Sequence, residues 1–424
     1  MRLPVLTIEE TCERQLCTGC GVCASLEPER FRMGEAFDLG RRPFVRDAAP
    51  VTTGEGLACC PGAHLSHDST ERTEEQDSNL FDAWGPVLEV WEGAAADEEI
   101  RLAGSSGGAA SALALYCIEA GGMERVVHVG ARSDVPYLNE TVFSENREEL
   151  ISRSGSRYAP ASPCDRLDEV ASMEGRSVFI GKPCDVAAVQ KARKIRPELD
   201  EKLGCVIGFF CAGAPSTKGT LALLDEVGIP DPSRLKSLRY RGNGWPGMWT
   251  AVYEGEDGRE ETIQRTYADS WGFVQRYRQW RCYICPDHTG EFADIAVGDP
   301  WYREVQPGEP GSSLIVVRTE RGREILKKAV AAGYIHLQTQ DSTLLPRSQP
   351  NLLSTRGGLW ARLLVLRAFG GAVPAYKGFR TFPFWLQHLS LKDKISSISG
   401  TMKRVFRKRL RQSVDVVEWS PPSE

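Results

Sequence analysis

The sequence lacks a long hydrophobic run. Its two longest uncharged stretches begin at Leu102 and Leu203, and Gly and Ser dilute both, whereas a membrane span needs about 20 mainly apolar residues. The opening MRLPVLTIEE lacks the charged-then-apolar layout of a secretory signal, so a cytoplasmic protein is expected. Positive charge is not in excess. The formal net charge is −5, which excludes nucleic-acid binding driven by global charge. No repeat or low-complexity tract occurs, and hydrophobic residues at 41% with charged ones at 26% exclude a chain disordered throughout.

What the sequence has is length, glycine and cysteine. Its 424 residues suit two or three domains, and 41 glycines promise many loops and close backbone approaches. Thirteen cysteines are an odd number, clustered rather than spread. In a reducing compartment structural disulfides are not expected, and metal or cluster ligation is the first reading.

The texture divides the chain into four parts: a cysteine-rich segment at 1–80, core halves at 81–175 and 176–348, and a basic helical tail at 349–424. Residues 69–79 (STERTEEQDSN) read as an exposed acidic linker. Strand–loop–helix alternation follows. Strands are expected at Val126–Val129, Ser177–Ile180, Val206–Phe210 and 312–318. Helices are expected at Gly108–Ala120, Asp185–Lys194, Lys218–Val227 and Glu320–Ala332, and residues 235–270 look β-rich and aromatic. This pattern predicts an α/β protein: a mixed-sheet core with a ferredoxin-like segment before it and the helical tail behind it.

Cys17, Cys20 and Cys23 form C-x2-C-x2-C, the first part of the bacterial ferredoxin run. Thiolates at this spacing converge on one loop, and Gly19 and Gly21 permit its turns. No fourth cysteine follows locally. Cys60, in Cys60-Pro61, is the expected fourth ligand, with Cys59 as the alternative. A mixed Cys/His zinc site is the rival, because His64 and His67 follow closely. Three thiolates in this run favour an iron–sulfur cluster, and Cys12 reads as a bystander.

A second group is scattered. Cys282 and Cys285 form C-x2-C, while Cys184 (GKPCD) and Cys211 (GFFCAG) each follow an apolar strand. Carboxyl ends of strands line the ligand crevice of an α/β sheet, so the four make a candidate thiolate set. Cys117, Cys164 and Cys205 read as buried thiols. AGSSGGAAS (103–111) opens an Ala/Leu helix whose N-terminus suits a phosphate. It is not G-x-G-x-x-G, so it is weak evidence for a nicotinamide site. In SRSGSRY (152–158), Arg157 could neutralise a diphosphate.

In order, GSSGG, SGSRYAPASP, GKPCD, GFFCAG and CYICPDH with ADIAVGDPW resemble the beta subunit of coenzyme F-420-reducing hydrogenase and its dehydrogenase relatives. The resemblance runs from about Trp84 to Leu345. Those relatives include ferredoxin-dependent reductases of chlorophyll metabolism. The resemblance implies a non-covalent FAD, contacted by Ser105, Ser106, Gly107, Gly108, Ala109, Gly155, Ser156, Arg157 and Tyr158, with Lys182 nearby. It implies a [4Fe–4S] cluster on Cys184, Cys211, Cys282 and Cys285, and the N-terminal segment would add a second [4Fe–4S] cluster on Cys17, Cys20, Cys23 and Cys60.

The expected function is an iron–sulfur flavoprotein oxidoreductase that takes electrons from ferredoxin or reduced coenzyme F-420 and reduces a small organic substrate. An electron-transfer subunit serving a separate catalytic partner is the alternative, and a zinc-stabilised scaffold a third. Trp245, Trp271, Trp301 and Arg241 are candidates to line the flavin pocket, although core packing competes for each tryptophan. His288 and Asp287 are candidate catalytic proton donors, and Asp299 is read as fixing a turn. The basic tail could lie on an anionic membrane surface, but packing back on the domain is the favoured reading. A homo-oligomer stays open.

Overall fold

In the strand Arg125–Ala131, Val126 packs into one hydrophobic core and Val127 into another. A strand buried on both faces must alternate in this way. Val178 and Phe179, and Cys205 and Val206, divide between the same two cores. The computed structural model describes residues 5–47, 49–67, 75–306 and 308–422, and these strands form its central eight-stranded mixed sheet.

From edge to edge the strands are Ile335–Gln340, Glu89–Ala95, Ser313–Val317, Ile295–Gly298, Leu203–Phe209, Ser177–Gly181, Arg125–Ala131 and Asn139–Ser144. The four from Ile295–Gly298 to Arg125–Ala131 run parallel, and the remaining pairings are antiparallel. Helices Ala109–Glu119 and Glu320–Ala331 cover one face. Helix Pro183–Ile195 covers the other, together with the N-terminal residues Cys20, Val22 and Leu26. The expected elements of the core therefore lie where the pattern put them, within a few residues.

Two further modules complete the chain. A three-stranded antiparallel sheet (Leu235–Arg239, Met248–Glu254, Glu260–Thr266) packs its fully buried Trp249 beside Tyr240, Leu223 and Leu224. The two ends of the chain share one core, in which Ile8, Leu16, Phe31 and Cys60 meet Leu359, Leu366, Val405 and Leu410. His64–Ser66 pairs in parallel with Ala375–Lys377, and the Trp419 N–H donates to the Glu35 carbonyl at 2.8 Å. The tail thus folds back over the cysteine-rich segment. Most of the expected acidic linker, residues 69–74, lies outside the described residues, and Ser78–Trp84 is helical.

Candidate functional site

Cys17, Cys20, Cys23 and Cys60 line one cavity together. The loop carrying the first three turns at Gly19 and Gly21, with φ of +72° and +94°. A Cβ at Gly21 would lie 2.8 Å from Asp165, so both conformation and space require glycine there. The loop is tied to the core by the Ser162 hydroxyl donating to the Gly19 carbonyl (2.7 Å) and the Cys164 N–H donating to the Cys20 carbonyl (2.9 Å). Cys59 points instead into the sheet-side core, which favours Cys60 as the fourth member. Cys12, expected to be a bystander, lines the cavity too. Its thiol draws the Cys17 thiol down to about 6, with Arg42 assisting, whereas burial pushes the Cys60 thiol up to about 12.

The histidines of the zinc rival turn away. The His64 ring contacts the Lys191 ammonium at 3.1 Å. His67 pairs with Glu291 at 2.6 Å and stacks on Phe292 with ring centroids 4.4 Å apart. Neither lines the cavity.

Cys184, Cys211, Cys282 and Cys285 line a second cavity, with Lys182, Arg281, Asp287 and His288 in its wall. Strands Ser177–Gly181 and Leu203–Phe209 are parallel neighbours, so their carboxyl ends bring Cys184, in the first turn of the helix that follows, and Cys211 to the same end of the sheet. The C-x2-C pair arrives on the short helix Trp280–Tyr283 and the turn after it. The Ala214 N–H donates to the Cys282 sulfur at 3.4 Å. Thr18 belongs to both cavities. Arg281 lies in the second and donates to the Pro61 carbonyl, beside Cys60, at 2.9 Å. Burial pushes Cys211 and Cys285 up to about 12. Among the described residues no three His, Cys, Asp or Glu side chains converge as a single-ion site. Five thiols line the first cavity and four the second.

Three expected roles change. Asp287 accepts the backbone N–H groups of Thr289, Gly290 and Glu291 at 2.8–2.9 Å. Both its oxygens are occupied in shaping the turn after Cys285, so it is not placed to hand a proton to a substrate. Lys182 is ion-paired to Asp185 at 2.7 Å in the wall of the second cavity, not at the glycine-rich loop. Arg157 gives its guanidinium to Asn139 (2.8 Å), the Leu238 carbonyl (2.6 Å) and the Pro136 carbonyl (2.7 Å). These bonds clamp the small sheet to the large one and engage all three guanidinium nitrogens. His288 is buried, its Nδ1–H donates to the Cys211 carbonyl at 2.9 Å, and burial holds it neutral by lowering it to about 4.

The glycine-rich loop sits one module away. Helix Ala109–Glu119 starts at Gly108 (φ +71°) with no side-chain cap, so its first N–H groups remain available to a ligand. The Ser156 N–H donates to the Ser105 hydroxyl at 2.7 Å, which joins the two predicted ligand loops. Arg241 seals the region. It pairs bidentately with Asp299 (2.7 and 2.9 Å), donates to the Ser105 carbonyl and lies 4.4 Å over the Tyr267 ring. Trp245 donates to Asp299 at 2.9 Å and stacks on Trp301, while Tyr158 packs on Trp271 at 4.9 Å. Asp299 follows the parallel strand Ile295–Gly298, so it does more than fix a turn: it anchors this aromatic wall.

Two family descriptions match the chain: coenzyme F420 hydrogenase/dehydrogenase, beta subunit N-term, at residues 90–167, and the C terminus of the same subunit at residues 175–343. The chain belongs to this family of beta subunits. Its relatives include the coenzyme F420 hydrogenase subunit beta of Methanosarcina barkeri, 27% identical over 56% of this chain and 77% of that one. The same subunit of Methanococcus voltae is 29% identical over 58% and 82%. A subunit of the F(420)H(2) dehydrogenase of Methanosarcina mazei is 23% identical over 75% and 83%. A chain of the F420-reducing [NiFe] hydrogenase complex from Methanosarcina barkeri shares the fold, with a TM-score of 0.50 and 22% identity over 66% of this chain and 92% of that one.

The four cysteines of the second cavity and both candidate ligand loops fall within the family-matched residues, whereas Cys17–Cys60 precede them. Thr18 and Arg281 escaped sequence reasoning. An arginine beside a C-x2-C pair is a weak signal, and a threonine between cysteines is weaker.

Proposed function

We propose that this chain relays electrons as an iron–sulfur flavoprotein subunit of an oxidoreductase. The observation that carries the reading is the pair of thiol-lined cavities, one with five cysteines and one with four, that share Thr18. Cys17, Cys20, Cys23 and Cys60 would hold one [4Fe–4S] cluster, and Cys184, Cys211, Cys282 and Cys285 the other. Burial pushes Cys60, Cys211 and Cys285 up to about 12, and a cationic centre would reverse that preference. Ser105–Ala109 and Gly155–Tyr158 would hold FAD, with the uncapped helix start taking its diphosphate. When bound, a flavin couples two-electron carriers to one-electron carriers, and clusters move single electrons.

The protein's own residues supply position and exclusion of water. Asp299 fixes Arg241, which fixes the Ser105 loop. Tyr158, Trp245, Tyr267 and Trp301 give flat apolar walls suited to a ring system. Thr18 and Arg281 keep the two thiol sets close.

The relatives named as subunits of hydrogenase, formate dehydrogenase and F(420)H(2) dehydrogenase support coenzyme F420 as the carrier and a separate catalytic partner. Direct reduction of a small organic substrate, with ferredoxin as donor, is the second reading. It draws on the N-terminal thiol cavity, which lies outside the family-matched residues.

The test is anaerobic purification with iron, sulfide, zinc and flavin measured on one sample. About eight irons and one FAD per chain are expected. Zinc without iron or flavin, after anaerobic reconstitution, would sink the proposal. Bleaching of bound flavin by reduced F420, compared with reduced ferredoxin, then separates the donors.

A further inference from the structure

The last helix, Leu391–Arg407, is amphipathic but turns its apolar residues outward. Ser397, Thr401 and Val405 face the protein and are buried. Leu391, Ile395, Ile398, Met402 and Phe406 are 37–74% exposed. Their three- and four-residue spacing sets them in one stripe along the helix. A stripe of this kind is normally the face a helix buries.

The orientation is set by contacts to the helix Thr381–His388. Trp385 donates to the Ser397 hydroxyl at 3.3 Å, and Lys394 donates to the Leu386 carbonyl at 2.7 Å. Helix Thr381–His388 adds Phe382 and Leu386, one turn apart and 45% and 51% exposed.

The charge of the same segment is as one-sided as its polarity. Residues 391–411 hold eight basic side chains against Asp393 alone, a net +7 in a chain whose total is −5. Lys392, Lys403 and Arg407 are exposed, and helical geometry places them on the flank beside the stripe.

We propose that this face docks on an anionic membrane surface. The helix would lie in the plane of the interface, its stripe at the boundary of headgroups and acyl chains and its basic flank against lipid phosphates. An anionic bilayer answers both features at once, because it offers an apolar interior beneath a continuous negative surface. A protein partner would need a matching apolar groove and a row of carboxylates. Among the described residues no helix is long and apolar enough to cross a membrane, so the association is peripheral. It is independent of the redox reading.

The experiment is flotation of the full chain with vesicles of phosphatidylglycerol and phosphatidylcholine, and with phosphatidylcholine alone. Binding is expected to the mixed vesicles, weakening as salt is raised, and little to the neutral ones. Leu391→Ser with Ile395→Ser should lower partitioning about tenfold or more, with an unchanged circular dichroism spectrum and melting temperature. Lys403→Glu with Arg407→Glu should also weaken binding to the mixed vesicles. No binding to the mixed vesicles would overturn the proposal, as would binding that survives loss of Leu391 and Ile395. A dimer in size-exclusion chromatography that the same serine pair dissolves would give the stripe to a second copy and overturn it as well.

Discussion

The two thiol cavities are built in opposite ways. The N-terminal one draws all its cysteines from Cys12–Cys60 and buries every one. Its wall is largely apolar, and two left-handed glycines shape it. The other gathers four partly exposed cysteines from Cys184 to Cys285 at the carboxyl ends of two interior strands, among Lys182, Arg281, Asp287 and His288. The N-terminal segment makes the more closed cavity, whereas assembly of distant segments makes the more open one with charged residues in its wall. Electron exchange with a carrier or partner suits the open cavity, and storage or onward relay suits the closed one.

Cysteine substitution is the largest disturbance. Cys60→Ser and Cys184→Ser should each remove about four irons per chain and leave the other cluster's signal in electron paramagnetic resonance. Cys59→Ser should remove none. Loss of all iron from either single substitution would break the distinction between independent sites.

Next comes support. Asp287→Ala leaves three backbone N–H groups without their acceptor, a cost of at least about 3 kcal/mol. Chemical denaturation should record it, with iron lost from the second cavity before the N-terminal one.

The sheet behind that cavity carries its own acid sensitivity. His128 is buried against the Ser144 hydroxyl at 2.8 Å, and burial lowers it to about 4. Its folded value lies below its unfolded one, so the unfolded chain binds more protons between about pH 6.5 and 4. Stability is therefore complete above pH 6.5 and falls toward pH 4, by at most about 3 kcal/mol. His128→Gln should flatten that slope in urea titrations at several pH values.

The smallest effect is expected at Cys12. It lines the closed cavity as a fifth thiol, so Cys12→Ser should leave the iron content unchanged. A fall of about four irons would make Cys12 a ligand in place of Cys60.

The core was legible because burial on both faces enforces a two-residue alternation, visible at Val126–Val127 and Val178–Phe179. The placement of Cys184 and Cys211 was legible because each stands just after an apolar strand, in GKPCD and GFFCAG. Arg157 misled because a half-buried arginine bonded to protein oxygens and an arginine awaiting phosphate look alike in sequence. Asp287 misled for the same reason: a turn-capping carboxylate and a proton donor are one residue type.

By itself the sequence determined the α/β order, the C-x2-C-x2-C loop and the candidate thiols, since each rests on spacing along the chain. Only the tertiary structure decided that Cys60 rather than Cys59 faces the cavity, that Thr18 joins the two thiol sets, and that the tail shares a core with the N-terminal segment. These depend on the direction of side chains and on contacts between residues hundreds of positions apart, which packing fixes and local pattern does not encode.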